Sequence, residues 1–397
     1  VITMADNKEN KVLNVPALRF PEFTDEWHKQ SLGEIGETII GLTYKPSDVV
    51  ESNGTIVLRS SNIKNGVIDY SDLVRVNKPI KERIITKEND ILICARNGSQ
   101  RLIGKNAIIK KEDANNTFGA FMMVYRSKDN PFILPLLSTK RYFSQVGENL
   151  GARINQITTS DFNGFDFYFP NSHAERAKIA ELFRLIDERI ATQNKIIEDW
   201  KKLKSAIVEE LYSATKGETY SFRQLLEVVN EKNRKLEYTN VLSASQELGM
   251  IKRSDINIDI KFEQDSICGY KIVRNGDYVV HLRSFQGGFA FSDKTGICSP
   301  AYTILRPNDL VVYGYLSHFF TSRLFIKSLK LVTYGIRDGR SINVDEWLNM
   351  TVILPTIQEQ LHIIEIINSI SSKLYNETRI CDSLLRQKSY LLKAMFI

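Results

Sequence analysis

The residues best suited to chemistry in this chain are those that could meet a nucleic acid, and they gather in short polar stretches. Base edges are read by Arg, Lys, Asn, Gln, Ser and Thr side chains, while phosphates are held by Lys, Arg and backbone amides. Such residues cluster at Arg59, Ser60, Asn62 and Lys64, at Arg96, Asn97, Gln100, Arg101 and Lys105, and at Arg153, Asn155 and Gln156. Later in the chain they return at Ser243, Ser245 and Gln246, at Arg283, Ser284 and Gln286, and at Tyr334, Arg337, Arg340 and Ser341. The last stretch, Y-G-I-R-D-G-R-S, sets two glycines and two arginines beside an aromatic ring. Any one of these residues reads equally well as part of a polar turn. As a set they stand at equivalent points of two repeated regions, which points to DNA contact.

Catalytic constellations are not expected. Amino methylation of a DNA base calls for an N/D-P-P-Y/F loop, which holds the amino nitrogen and stacks the flipped base, and that tetrapeptide does not occur. Neither G-x-G-x-x-G nor G-x-x-x-x-G-K-S/T is found. His28, His173, His281, His318 and His362 lack metal-ligand spacing. Cys94, Cys268, Cys298 and Cys381 are too scattered for a zinc site or a disulfide framework. E-D-W-K at 198–201 resembles a nuclease fragment, but its Trp200 belongs to the apolar seam of a helix. The expectation is therefore a non-enzyme without a metal or cofactor of its own.

A chain of 397 residues calls for two or more domains. Its 43% hydrophobic and 25% charged content is ordinary for a globular protein. The net charge of +6 is mild, permitting nucleic-acid binding without establishing it. No apolar run reaches the ~18 residues of a membrane span, and V-I-T-M-A-D-N-K-E-N-K lacks a signal-peptide core. Met4 is the expected natural start, with Val1–Thr3 foreign to it, and a cytoplasmic location is expected.

Two amphipathic stretches must position the polar loops. In the first, 170–212, apolar residues recur at heptad-like spacing, in steps of three, four and seven: Ile179, Leu182 with Phe183, Ile186, Ile190, Ile197, Trp200, Ile207 and Leu211. The second, 355–397, returns the same classes in order: Ile363, Ile370, Leu374, Cys381, Leu384, Leu391 and Met395. Polar breaks match too, Gln193 with Glu377 and Lys204 with Lys388. Matched seams with matched breaks indicate internal duplication. Gln193 and Glu377 either fix the register of a buried seam or lie at its edge. Each rod would be roughly 55 Å long, whereas the polar link 213–219 reaches at most ~25 Å. The rods are therefore expected to pack antiparallel.

The regions between the rods repeat as well. T-I-V-L-R-S-S-N matches T-N-V-L-S-A-S-Q, and E-N-D-I-L-I-C-A-R matches N-G-D-Y-V-V-H-L-R, so that Asp90 falls on Asp277 and Arg96 on Arg283. β-branched runs bounded by turn residues predict strands, with short helices around 132–147. Before the rods come the pairs Asp161–Phe162 and Glu346–Trp347, then the strands F-D-F-Y-F-P and M-T-V-I-L-P. The fold class is α+β: two mixed α/β domains alternating with two long helices that pair as an antiparallel coiled coil.

Domain–rod–domain–rod order, with L-R-F-P-E-F-…-W at 18–27 and L-P-…-Q-E-Q at 354–360, resembles the specificity subunit of Type I restriction–modification systems. The resemblance covers nearly the whole chain. It implies a leader at 1–17, target-recognition domains at 18–169 and 220–354 that each read half of a split DNA site, a linker at 213–219, and helices at 170–212 and 355–397 that set the spacing. It also implies partners: double-stranded DNA, two methyltransferase subunits and two ATP-dependent restriction subunits, with S-adenosylmethionine and ATP held by those partners. One feature departs from the pattern. Pro170 reaches Glu175 with an extra residue between, and Arg176 follows in place of Gln, which leaves the start of the first rod open. The alternative reading is a coiled-coil adaptor joining two protein-binding modules without DNA recognition. A self-contained DNA enzyme is disfavoured by the missing motifs.

Overall fold

The computed structural model describes residues 14–152, 155–245, 248–255, 264–281, 288–334 and 341–397. The chain forms two compact units, Val1–Gln193 with Ile380–Ile397, and Asn194–Arg379.

In the first unit, strand Ile91–Cys94 lies between Met122–Arg126 and Asn106–Ile108, and Glu37–Ile40 completes the sheet beyond Met122–Arg126. All four residues of I-L-I-C are buried, as a central strand covered on both faces requires. A second small sheet carries Thr55–Leu58, whose Val57 and Leu58 pair in parallel with Thr117 and Phe118. Helices Asn130–Leu136 and Lys140–Ala152 fill the span where short helices are expected. Phe132, Ile133, Tyr142, Phe162 and Phe167 join Ile91, Ile93 and Tyr125 in one core. Each such side chain contributes roughly 1.5–3 kcal/mol by leaving water.

The second unit repeats this plan. Tyr278–Val280 lies between Phe289–Phe291 and Thr303–Pro307, with Leu226–Val229 at the edge. Val241 bridges Ile297 in parallel, as Val57 bridges Thr117. In both units the strand entering a long helix pairs with the unit's first strand: His28–Ser31 with Asp166–Phe169, and Glu218–Ser221 with Thr351–Leu354. The acidic–aromatic pairs sit in short capped helices, Thr159–Asn163 and Val344–Leu348, where Phe162 and Trp347 are fully buried.

The long helices run His173–Ser213 and Ile357–Met395. The expected linker is thus shorter than 213–219. Ser213 still belongs to the helix, and Glu218 and Thr219 enter the ladder against Leu354 and Ile353. Within the first unit, Ile179, Ala180 and Phe183 pack with Met395 and Phe396, and Asp187 pairs with Lys388 at 2.5 Å. Within the second, Val208 and Tyr212 share a core with Ile363 and Ile367. The start of one helix meets the end of the other in each unit, so the packing is antiparallel in both.

Of the expected seam, Ile179, Ile197, Ile363, Cys381, Leu384 and Met395 are buried. Ile186, Ile190, Trp200, Ile207, Leu211, Ile370, Leu374 and Leu391 are half-buried. Gln193 and Glu377 are each only 8% exposed, so they lie in the seam rather than at its edge.

The departure at Arg176 has a structural explanation. Arg176 donates from Nη1 to the Pro170 carbonyl at 2.7 Å and from Nε to Asp129 at 3.1 Å. Gln360 donates to the Pro355 carbonyl at 3.0 Å and to the Leu310 carbonyl at 2.9 Å. Both side chains tie the proline before a long helix to the segment after a central sheet strand, Met122–Arg126 in the first unit and Thr303–Pro307 in the second. The first helix therefore starts at His173, with Ser172 accepting the Glu175 amide. The carboxylate of Glu175 turns inward, accepting two bonds from Arg19 at 2.7 and 2.8 Å and one from the Trp27 indole at 3.3 Å. The Leu18 amide donates to the Ala394 carbonyl at 2.8 Å. The stretch 18–27 thus fastens the start of the first long helix and the end of the second to the first unit.

Candidate nucleic-acid interface

In the first unit three sequence-distant loops meet at one end of the sheet. The hairpin after Ile91–Cys94 closes at Gly104, whose φ of +81° strains any L side chain and where a Cβ would press on Tyr142 and Val146 at 3.1 Å. Its tip, 95–103, is bound to the loop at 155–157. Arg96 bridges Gln156, the Asn97 amide donates to the Asn155 carbonyl at 3.3 Å, and the Ile157 amide donates to Ala95 at 2.9 Å. The Asn97 side chain donates to the Ser60 hydroxyl at 3.0 Å, joining the loop at 59–62. Arg96, Asn97, Gln100, Arg101, Ser60, Asn155 and Gln156 therefore share one region, with Arg96, Gln100 and Arg101 exposed and the others half-buried. Lys105 stands at the base of the hairpin, half-buried.

Not every expected contact residue is free for a ligand. Asn62 is fully buried: its side-chain oxygen accepts the Arg59 amide at 2.9 Å, and its nitrogen donates to the carbonyls of Asp69 and Asp72. It holds the loop from within. Arg59 pairs with Asp72 at 2.8 Å and Lys64 with Asp69 at 2.9 Å. Lys64 lies on the short hairpin that turns at Asn65–Gly66, both at positive φ as an N-G turn requires. Phe121, absent from the sequence-based set, stands beside Arg96 with 60% of its surface exposed. An exposed aromatic flanked by the apolar residues Ala120 and Met122 is hard to tell from core by pattern alone.

The matched aspartates are structural. Arg126 donates to Asp90 through Nε and Nη2 at 2.8 and 2.7 Å, and Arg306 does so to Asp277 at 2.9 and 3.0 Å. Each carboxylate also caps a turn, accepting the amides of Lys87 and Arg274. These forks hold the sheet strand that carries the arginine against the turn that precedes Ile91–Cys94 in the first unit and Tyr278–Val280 in the second.

In the second unit Ser243 and Ser245 are half-buried on strand Leu242–Ser245, and the Ser245 hydroxyl accepts the Leu248 amide at 3.3 Å. The backbones of Tyr334 and Ser341 pair across a two-stranded ladder. Arg153, Gln246, Arg283, Ser284, Gln286, Arg337 and Arg340 lie outside the described residues. Among the described residues no cluster of three or more His, Cys, Asp or Glu could hold a metal ion, and no helix is long and apolar enough to cross a membrane.

Residues 24–201 match the family described as the Type I restriction modification DNA specificity domain. The chain is 22% identical to the Type I restriction enzyme EcoKI specificity subunit of Escherichia coli, over 85% of this chain and 80% of that one. It is 24% identical to the MjaVIII specificity subunit of Methanocaldococcus jannaschii, over 94% and 92% of the two chains. Among solved structures, the Type I restriction–modification S subunit from M. genitalium aligns with a TM-score of 0.56 at 14% identity, covering 96% of this chain and 99% of that one. A chain from a structure describing assembly and conformational transition of a type I R-M system gives the same TM-score and identity, covering 92% and 96%. A duplicated plan, antiparallel helix pairing in both units and these similarities agree: residues 24–201 carry a Type I restriction–modification DNA specificity domain, and the chain is similar over most of its length to Type I specificity subunits.

Proposed function

We propose that this chain is the non-catalytic DNA reader and scaffold of a Type I restriction–modification complex, each unit's globular module reading one half of a bipartite duplex site. The observation that carries this reading is the joined loop cluster of the first module. There, three distant segments are hydrogen-bonded together at one end of the sheet and present Arg96, Gln100 and Arg101 to solvent. Conserving the plan while varying the loops suits a frame that carries different specificities. The long helices set the spacing of the half-sites and dock two methyltransferase subunits, to which two ATP-dependent restriction subunits attach. S-adenosylmethionine and ATP belong to those partners. The adaptor alternative is not favoured, because the matched relatives are Type I restriction enzyme specificity subunits and the matched family is a DNA specificity domain. Titrating duplex DNA against the full chain with its methyltransferase at several salt concentrations tests the reading. Affinity should fall steeply and linearly on a log–log scale as phosphate contacts give back their counterions. Binding to the methyltransferase with no affinity for any duplex would favour the adaptor instead.

A further inference from the structure

Phe121 and Arg96 form a unit that loop polarity alone does not explain. The turn at 119–122, closed by the Met122 amide donating to Gly119 at 2.8 Å, projects the Phe121 ring into solvent. The Phe121 carbonyl accepts the amides of both Ala95 and Arg96 at 3.0 Å, so the two backbones are locked together. The Arg96 guanidinium carbon lies 5.1 Å from the ring centroid. A guanidinium resting on an aromatic face keeps its N–H edge free and gives up little rotational freedom on binding. Among the described residues no carboxylate pairs with Arg96, whereas Arg59 and Lys64 are already neutralised by Asp72 and Asp69.

We propose that Arg96, seated on Phe121, is the guanine-reading residue of the first module, with Phe121 a positioning residue that holds the guanidinium for bidentate contact with guanine O6 and N7 in the major groove. This rests on the DNA-reading function proposed above. In the second module, counting back from the matched Arg126 and Arg306 places Ala301, not an aromatic residue, where Phe121 stands. Any effect of Phe121 should therefore be confined to one half-site.

The test selects bound duplexes from a pool with randomised positions, using the full chain with its methyltransferase, and sequences the bound fraction. The wild-type motif should contain one guanine in one half that depends on Arg96, and Arg96→Lys should reduce preference for it by about tenfold. Phe121→Ala should reduce the same preference about fivefold, and Phe121→Tyr should restore it, because a tyrosine face supports the cation equally well. The other half-site serves as an internal check on folding and should be unchanged in every variant. An unchanged motif in Phe121→Ala, while the wild type binds, would overturn the pair alone. Uniform weakening across all sequences with a flatter salt dependence would make Arg96 a phosphate contact and also overturn it. Absence of salt-dependent duplex binding by the wild type would sink the DNA-reading function, and this pair with it.

Discussion

Removing Arg19 tests how the first unit grips the long helices. The Glu175 side chain is 1% exposed and that of Arg19 10%, and the two meet at 2.7 Å through Nε. Arg19→Ala leaves the buried carboxylate with the Trp27 indole as its remaining hydrogen-bond donor among the described residues. Stranding one partner of a buried pair costs about 3–5 kcal/mol, because the remaining charge is neither solvated nor paired. Replacing both, Arg19→Met with Glu175→Leu, removes the charge altogether. It leaves the indole N–H without its acceptor, a loss of about 1–3 kcal/mol. The double variant should therefore be more stable than the Arg19→Ala single, even though it removes more native contacts. Urea unfolding followed by tryptophan fluorescence reads this directly, since Trp27 touches the pair and is the tryptophan of the first unit. Arg19→Ala within about 0.5 kcal/mol of wild type would show that the pair is solvated in solution. A double variant no more stable than the single would refute the stranded-charge account.

Three further outcomes follow from the same geometry. Arg126→Met and Arg306→Met should each destabilise by about 2–4 kcal/mol in thermal unfolding, since each strands a buried aspartate; a neutral result for one would break the equivalence of the two modules. Burial, with Lys204 nearby, pushes the His318 imidazole down to about 4. The unfolded chain then binds the proton first, so stability should fall as pH drops from ~6.5 towards ~4, by about 1–2 kcal/mol for this half-buried group, and His318→Gln should flatten that slope in urea titrations. Matching four-residue insertions after Thr192 and Asn376 each add ~6 Å of helix. They should lengthen the selected spacer by one or two base pairs at ~3.4 Å per pair, while an insertion after Thr192 alone should slip the seam and destabilise the protein.

Periodicity made the frame legible. The steps from Ile179 to Leu211 and from Ile363 to Met395 located both long helices and their shared register, because a long helix must bury one continuous stripe. Strands such as Ile91–Cys94 were readable from β-branched runs, and Asp90 with Asp277 from their equal place in the repeat. The site was less readable. Asn62 has the composition of a base reader, yet the turn it stabilises takes up its whole amide. Arg59 and Lys64 meet carboxylates 13 and 5 residues further on only once the chain folds. Phe121 looks like core from its neighbours, and only the turn at 119–122 puts it in water. Arg176 reads as a break in a motif, but a longer donor there reaches the same proline carbonyl that Gln360 reaches in the second copy. Pattern reveals which face of an element is apolar; it does not reveal which polar groups have already found partners.

The central claim, that each module reads its own half of a split site, is tested most directly by methylome sequencing of cells expressing this chain with its methyltransferase, beside cells expressing a version whose residues 18–168 come from another family member. The account predicts a motif of two specified blocks separated by a fixed spacer, with one block replaced and the other kept after the exchange. A single continuous motif, or both blocks changing together, would contradict it.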